Sequence, residues 1–121
     1  MQIFKHRTFH LWAKREGLTD GTLKRAADEI VAGSYEASLG GGLYKKRIPL
    51  AGKGKSGGYR TIVAVKLGTQ AFFVYGFSKS EQANISEKEK KVYRKLAKDL
   101  FRMDEDEIQL LIEQGKLFKV K

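Results

Sequence analysis

The sequence predicts an α+β fold: an N-terminal helical hairpin, a central antiparallel β-sheet of three to four strands, and C-terminal helices. Three observations predict it. Apolar residues recur at helical spacing near both ends of the chain, β-branched and aromatic residues crowd its middle, and capping signals stand where the last helices should begin.

The first helix is read from Phe9, Trp12 and Ala13, spaced i, i+3, i+4, with Gly17 placed to end it. Thr19 fits the N-cap of a second helix. There Leu23, Ala26, Ala27 and Ile30 form an i, i+3, i+4, i+7 stripe, and Gly33 is the expected stop. The middle of the chain reads as strands. Tyr44, Ile48 and Leu50 share one parity, and Lys45 and Arg47 share the other. Pro49 cannot donate to a ladder, so it belongs near the strand end or on an edge. Beyond a glycine-rich stretch, residues 59–67 carry Thr61, Ile62, Val63 and Val65. Residues 68–70 form a short turn, and residues 71–77 carry Phe72, Phe73, Val74 and Tyr75. Rows apolar on both parities predict strands covered on both faces. Their short connections predict an antiparallel meander.

The last third returns to helix. Ser86 with Glu89 matches a capping box, and Val92, Tyr93, Leu96 and Leu100 form the stripe behind it. Asp104 with Glu107 repeats the cap, Ile108, Leu111 and Ile112 line a face, and Gly115 ends it. Residues 117–120 fit a short final strand. Neither a repeat nor a linker divides the chain, so a single domain over residues 1–121 is expected.

Composition sets the function classes. With 41% hydrophobic and 11% aromatic residues, the chain has the makings of a globular core. It has no cysteine, which excludes disulfides, thiolate metal sites and cysteine nucleophiles. No run approaches the roughly 18 apolar residues of a membrane span. The first ten residues carry charges where a signal peptide needs an apolar run. A cytoplasmic protein without membrane contact is the expectation.

The formal charge is +10, and its distribution is uneven. Residues 37–80 contain no Asp or Glu but hold Lys45, Lys46, Arg47, Lys53, Lys55, Arg60, Lys66 and Lys79. Solvated surfaces usually mix signs, whereas a one-sign segment presents a field that a phosphate chain would feel. Within it, the run Ala51-Gly52-Lys53-Gly54-Lys55-Ser56-Gly57-Gly58-Tyr59-Arg60 has the composition of an anion cradle. Its glycines permit close backbone approach, and its cations supply charge-assisted hydrogen bonds. Gly54-Lys55-Ser56 mimics the end of a nucleotide-binding P-loop. However, Pro49 stands where that motif needs its first glycine, and a strand follows where it needs a helix.

The run has no carboxylate and no histidine, so neither two-carboxylate hydrolysis nor a two-metal site is supported there. A metal-free route remains. The 2′-hydroxyl of RNA attacks its own phosphate once that phosphate's charge is neutralised. Clustered cations lower one another's pKa, which lets a loop lysine exchange protons. No metal or cofactor is expected. Lys45, Lys46 and Arg47 are candidates to track an RNA backbone, with Ser56 in the loop beside them. Tyr59 and Tyr75 are candidates to stack on a base. His6 and His10 lie four apart, but a third metal ligand is not evident, and they read as ordinary surface histidines.

Lys46-Arg47-Ile48, the Gly-Lys-Gly-Lys-Ser-Gly-Gly-Tyr-Arg-Thr-Ile run, the segment from Phe72 to Glu81, and Asn84-Ile85 together resemble the RelE/ParE toxin superfamily, and its RelE/HigB branch most closely. The resemblance spans residues 43–100. It implies a toxin of a type II toxin–antitoxin system: an endoribonuclease (mRNA interferase) that cuts messenger RNA in the ribosomal A site and so inhibits translation. It implies silencing by a cognate antitoxin, expected to be a helix-turn-helix protein, with operator DNA reached only through that antitoxin. By resemblance, Arg60 corresponds to the arginine that contacts the scissile phosphate. Lys53 and Lys55 correspond to the loop lysines that act as base or charge stabilisers, and Lys79 to a second basic group after the last core strand. The family's late Tyr or His proton donor has no counterpart where Asn84 and Ile85 stand. Tyr93 is the nearest substitute, although its helical phase points to the core. Residues 104–121 extend beyond compact family members and are expected to pack on the sheet or shape antitoxin binding. Two other readings stay open: a ParE-like toxin acting on a protein such as gyrase, and a non-catalytic RNA-binding module.

Overall fold

A computed structural model describes residues 1–49 and 58–121. In chain order the elements are β1 (Gln2–His6), α1 (Arg7–Glu16), α2 (Asp20–Val31), β2 (Ala37–Gly40), β3 (Leu43–Ile48), β4 (Tyr59–Lys66), β5 (Gln70–Ser78), α3 (Glu87–Phe101), α4 (Glu105–Glu113) and β6 (Leu117–Lys119).

Local signals set the helix ends. Gly17 closes α1 at φ 73°, a left-handed conformation in which its N–H reaches the carbonyls of Ala13 and Lys14. The Thr19 hydroxyl caps α2 by accepting from the Thr22 N–H at 3.2 Å. Both expected capping boxes are complete, at Ser86–Glu89 and Asp104–Glu107.

Among the described residues the strands form one sheet of six, in the order β2-β3-β4-β5-β1-β6. The central meander β3-β4-β5 is antiparallel, as expected, but β1 joins β5 in parallel. The sheet is therefore larger than the three to four strands expected, and a strand precedes the helical hairpin. Two strands escaped the sequence pattern for physical reasons. In β1, Ile3 and Phe4 enter opposite cores, so the apolar pair shows no alternation and the flanking Lys5 and His6 mask it. β2 is a four-residue edge strand of Ala, Ser, Leu and Gly, with little β propensity.

Both faces of the sheet are covered. On one, Val63, Val65, Phe73 and Ile48 pack with Phe9 and Ala13 of α1 and with Leu23, Ala27 and Ile30 of α2. On the other, Leu43, Ile62, Phe72 and Val74 pack with Ala97 and Leu100 of α3 and Ile108 of α4. The C-terminal residues thus complete the second core and add strand β6 beside β1. Val92 is the exception in the α3 stripe, since it lies 57% exposed. Gly76 lets the Trp12 ring lie on the sheet, because a Cβ there would stand 2.2 Å from the indole. Among the described residues no helix is long and apolar enough to cross a membrane.

Candidate phosphate site at the open edge of the sheet

β2 pairs with β3 only as far as Ala37↔Lys45. Past that point β3 runs on through Lys46, Arg47 and Ile48 beside β4, with Arg47 opposite Arg60 and Ile48 opposite Tyr59. The chain therefore leaves and re-enters the sheet at adjacent positions. The lysine-bearing part of the connection, with Lys53, Lys55 and Ser56, lies outside the described residues.

The segment before β2 fills the vacated edge. It forms a cavity of about 530 Å³ walled by Glu29, Ser34, Tyr35, Glu36, Lys46, Arg47, Pro49 and Arg60. Arg60, predicted from sequence as the phosphate contact, is one of the two buried charged residues among those described, at 7% exposure. Its Nε donates to Glu36 Oε2 at 2.7 Å, a short charge-assisted contact. Its Nη1 is buried and has no hydrogen-bond partner among the described residues. Glu36 also holds Lys45, with Nζ to Oε1 at 3.3 Å, and its backbone N–H donates to the Lys45 carbonyl at 2.8 Å. Lys45 Nζ further reaches Asn84 Oδ1 at 3.5 Å.

Lys46 is the other buried charge. Its ammonium donates to the Ser34 carbonyl at 2.9 Å, lies 3.4 Å from the Ser34 hydroxyl and pairs with Glu29 at 3.2 Å. Those three partners satisfy its donors internally, which makes it a strut between β3 and α2. Arg47 is half-buried in the cavity wall. Gly58 admits it, since a Cβ at Gly58 would stand 3.2 Å from Arg47 Nε.

Lys79 is exposed and follows directly on Ser78, which is paired with Tyr59. It thus sits at the same end of the sheet as Arg60. Tyr59 has a different role from the one expected. It is 6% exposed and meets Trp12 edge-on at a centroid distance of 5.2 Å, so its ring belongs to the core and offers no face to a base. Tyr75 is half-buried, stacks on Tyr93 and donates from its hydroxyl to Gln82 Oε1 at 2.8 Å. Tyr93 sits behind it in the α3 layer. Burial first, then Tyr75 and Glu89, push its pKa up to about 12, which makes it a poor proton donor near neutrality. The histidines are structural too. His6 Nδ1 accepts from the Thr8 N–H at the start of α1, and His10 stacks on Phe118 at 3.8 Å. Among the described residues no three His, Asp or Glu side chains gather as a metal site.

Sequence reasoning missed Glu36 and Glu29. Both lie before the acid-free segment in the chain, yet the fold lays them on its cations. A signal for Glu36 was present. Three glycines at 40–42 mark a hairpin turn, and counting back from it sets Glu36 across from the Lys45-Lys46 pair.

Among the described residues, this small α+β fold holds a buried Arg60 donor without a hydrogen-bond partner at a cation-bearing sheet edge. The family model described as the RelE toxin of the RelE/RelB toxin–antitoxin system matches residues 1–120, and the chain belongs to that family. It is a toxin of a toxin–antitoxin system, and toxins of this family pair with an antitoxin. No curated protein matches the chain closely enough to add to that assignment.

Proposed function

We propose that this toxin is a ribosome-dependent endoribonuclease that cuts messenger RNA by metal-free attack of a ribose 2′-oxygen on the adjacent phosphorus. The single observation that carries the reading is the Nη1 of Arg60, buried at the cavity with no hydrogen-bond partner among the described residues. A buried guanidinium donor without an acceptor costs free energy unless a ligand supplies one, and a phosphate oxygen is the matching acceptor.

In this reading Arg60 binds the scissile phosphate and stabilises the charge that grows on its oxygens. A loop lysine, Lys53 or Lys55, takes the 2′-hydroxyl proton. The 2′-oxygen bonds to phosphorus, the bond to the 5′-oxygen breaks, and that oxygen takes up a proton. The products carry a 2′,3′-cyclic phosphate and a 5′-hydroxyl. Lys79 and Lys45 add positive field along the RNA. The antitoxin, in this reading a helix-turn-helix protein, silences the toxin and carries it to operator DNA.

The test is substrate chemistry on programmed ribosomes. A single 2′-deoxynucleotide at the scissile position should abolish the cut there, while cuts elsewhere persist. Continued cutting at the deoxy position would exclude 2′-oxygen attack.

A further inference from the structure

We propose that Glu36 is the positioning residue of this site: it grips Arg60 by the Nε edge and so presents the Nη1 end to the RNA phosphate. This rests on the endoribonuclease reading above and assigns a residue that lies outside the basic segment.

Four observations converge on it. The Glu36–Arg60 contact is the shortest ion pair among the described residues, at 2.7 Å, and it uses Nε. Nη1 of the same guanidinium is buried and unpartnered among those residues, within a side chain 9% exposed. An arginine meant only to close an ion pair would more naturally offer its two-nitrogen fork. Here one edge is fixed and a further nitrogen is left to donate.

Glu36 is itself fixed. Its backbone N–H bonds the Lys45 carbonyl, and its Oε1 pairs with Lys45 Nζ. Lys45 is steadied by Asn84 Oδ1, which also accepts from the Ile85 N–H at 2.9 Å. The Asn84 carbonyl accepts from Gln82 Nε2 at 2.8 Å, and Gln82 Oε1 accepts from the Tyr75 hydroxyl. A continuous chain of bonds thus runs from β5 through the loop before α3 to β3, Glu36 and β4. It explains Asn84 and Gln82 as supports for Lys45.

The charges also fit. Lys45 and Arg60 share one carboxylate, so the trio keeps a positive charge for a phosphate to meet. Both carboxylate oxygens are engaged by cations, so Glu36 is poorly placed to take the 2′-hydroxyl proton itself.

The experiment compares Glu36→Ala and Glu36→Gln with wild type in the full-length protein, measuring kcat and KM for cleavage of ribosome-bound messenger RNA. Glu36→Ala should lower kcat by about tenfold or more, because Arg60 loses its orientation. KM should stay level or fall, because a negative charge has left the phosphate site. Glu36→Gln keeps an oxygen for Nε and should restore kcat to within about threefold of wild type. A Gln variant as inactive as the Ala variant would instead make Glu36 the proton acceptor and overturn the positioning role. Equal kcat in all three proteins would overturn it as well.

A readout independent of cleavage follows the arginine Nε–H signals by nitrogen-15 NMR, with inorganic phosphate as probe. The Arg60 Nε–H should be protected from exchange in wild type and Glu36→Gln and unprotected in Glu36→Ala. Phosphate should move the Arg60 Nη signals more than Nε. If wild type cuts no RNA, the endoribonuclease reading fails, and this NMR result alone decides Glu36. An unprotected Nε–H in wild type would overturn the proposal.

Discussion

Lys46 and Arg60 sit on neighbouring strands, one register pair apart, and each is buried to 7% exposure. The fold treats them in opposite ways. Lys46 has a carbonyl, a hydroxyl and a carboxylate around its ammonium, so nothing remains to offer a ligand. Arg60 has one carboxylate on one edge and, among the described residues, no partner for the donor beside it. Burial of charge alone therefore does not mark a functional residue. What separates the two is that, among the described residues, Arg60 keeps a buried donor without a partner in the wall of the cavity.

The largest expected effect breaks the comparison at Arg60. Arg60→Ala should reduce cleavage by roughly 100-fold or more, in line with the loss of a transition-state donor. Circular dichroism and melting should show the fold retained. Arg60→Lys should recover little, since a point charge cannot satisfy Glu36 and a phosphate along two directions.

Lys46→Met should give the converse result. Losing the strut to Ser34 and Glu29 should lower stability by about 1–3 kcal/mol, read as a drop in urea midpoint. Glu29 is half-exposed and can rehydrate, which places the effect toward the lower end. Cleavage per folded molecule should change less than about threefold, against the 100-fold scale of a lost transition-state donor. A loss of activity as large as that of Arg60→Ala would erase the distinction between the two residues.

Tyr93→Phe sharpens it further. A hydroxyl held near 12 and stacked behind Tyr75 should contribute no proton in the neutral range. Rates should then be unchanged from pH 6 to 9. A rate that fell with the substitution would return the tyrosine to the proton-donor role.

The smallest effect concerns the helical layer away from the site. Burial lowers the pKa of both histidines, aided at His10 by Lys5 and Lys14. The unfolded chain therefore binds more protons below its histidine pKa of 6.5, and stability should decline as pH falls from 7 through 6.5 toward the lowered folded values. Asp20 adds a second loss at more acid pH. The Lys121 N–H, above all, and Lys5 hold its carboxyl below the usual range, so its contribution persists above that range and disappears at more acid pH. Melting temperature against pH should show these as two separate declines, and His10→Gln should weaken the upper one.

Much of the fold was legible. Caps at Thr19, Ser86 and Asp104, the stop at Gly17 and the doubly apolar β4 and β5 rows are local signals, and each holds in the structure. β1 and β2 were hidden because their stability comes from neighbours rather than propensity: β1 is clamped between β5 and β6, and β2 rides on β3. For the candidate site, charge along the chain singled out Arg60 and Lys79, which the fold brings to one end of the sheet. It misjudged the local field. Residues 37–80 are free of acid in sequence, yet Glu36, one position outside, bridges Lys45 and Arg60 once β2 folds back on β3. Tyr59 failed as a stacking candidate because adjacency in sequence says nothing about strand parity: it points to Trp12, while Arg60 pairs with Glu36.

The most direct measurement is a structure of the toxin on a ribosome whose A-site codon carries a 2′-O-methyl group at the scissile nucleotide, which blocks the attack. Arg60 Nη1 should then lie within hydrogen-bond distance of the scissile phosphate, with Nε still on Glu36 and Lys46 still on Ser34 and Glu29. A phosphate seated elsewhere, with Nη1 still empty, would contradict the account.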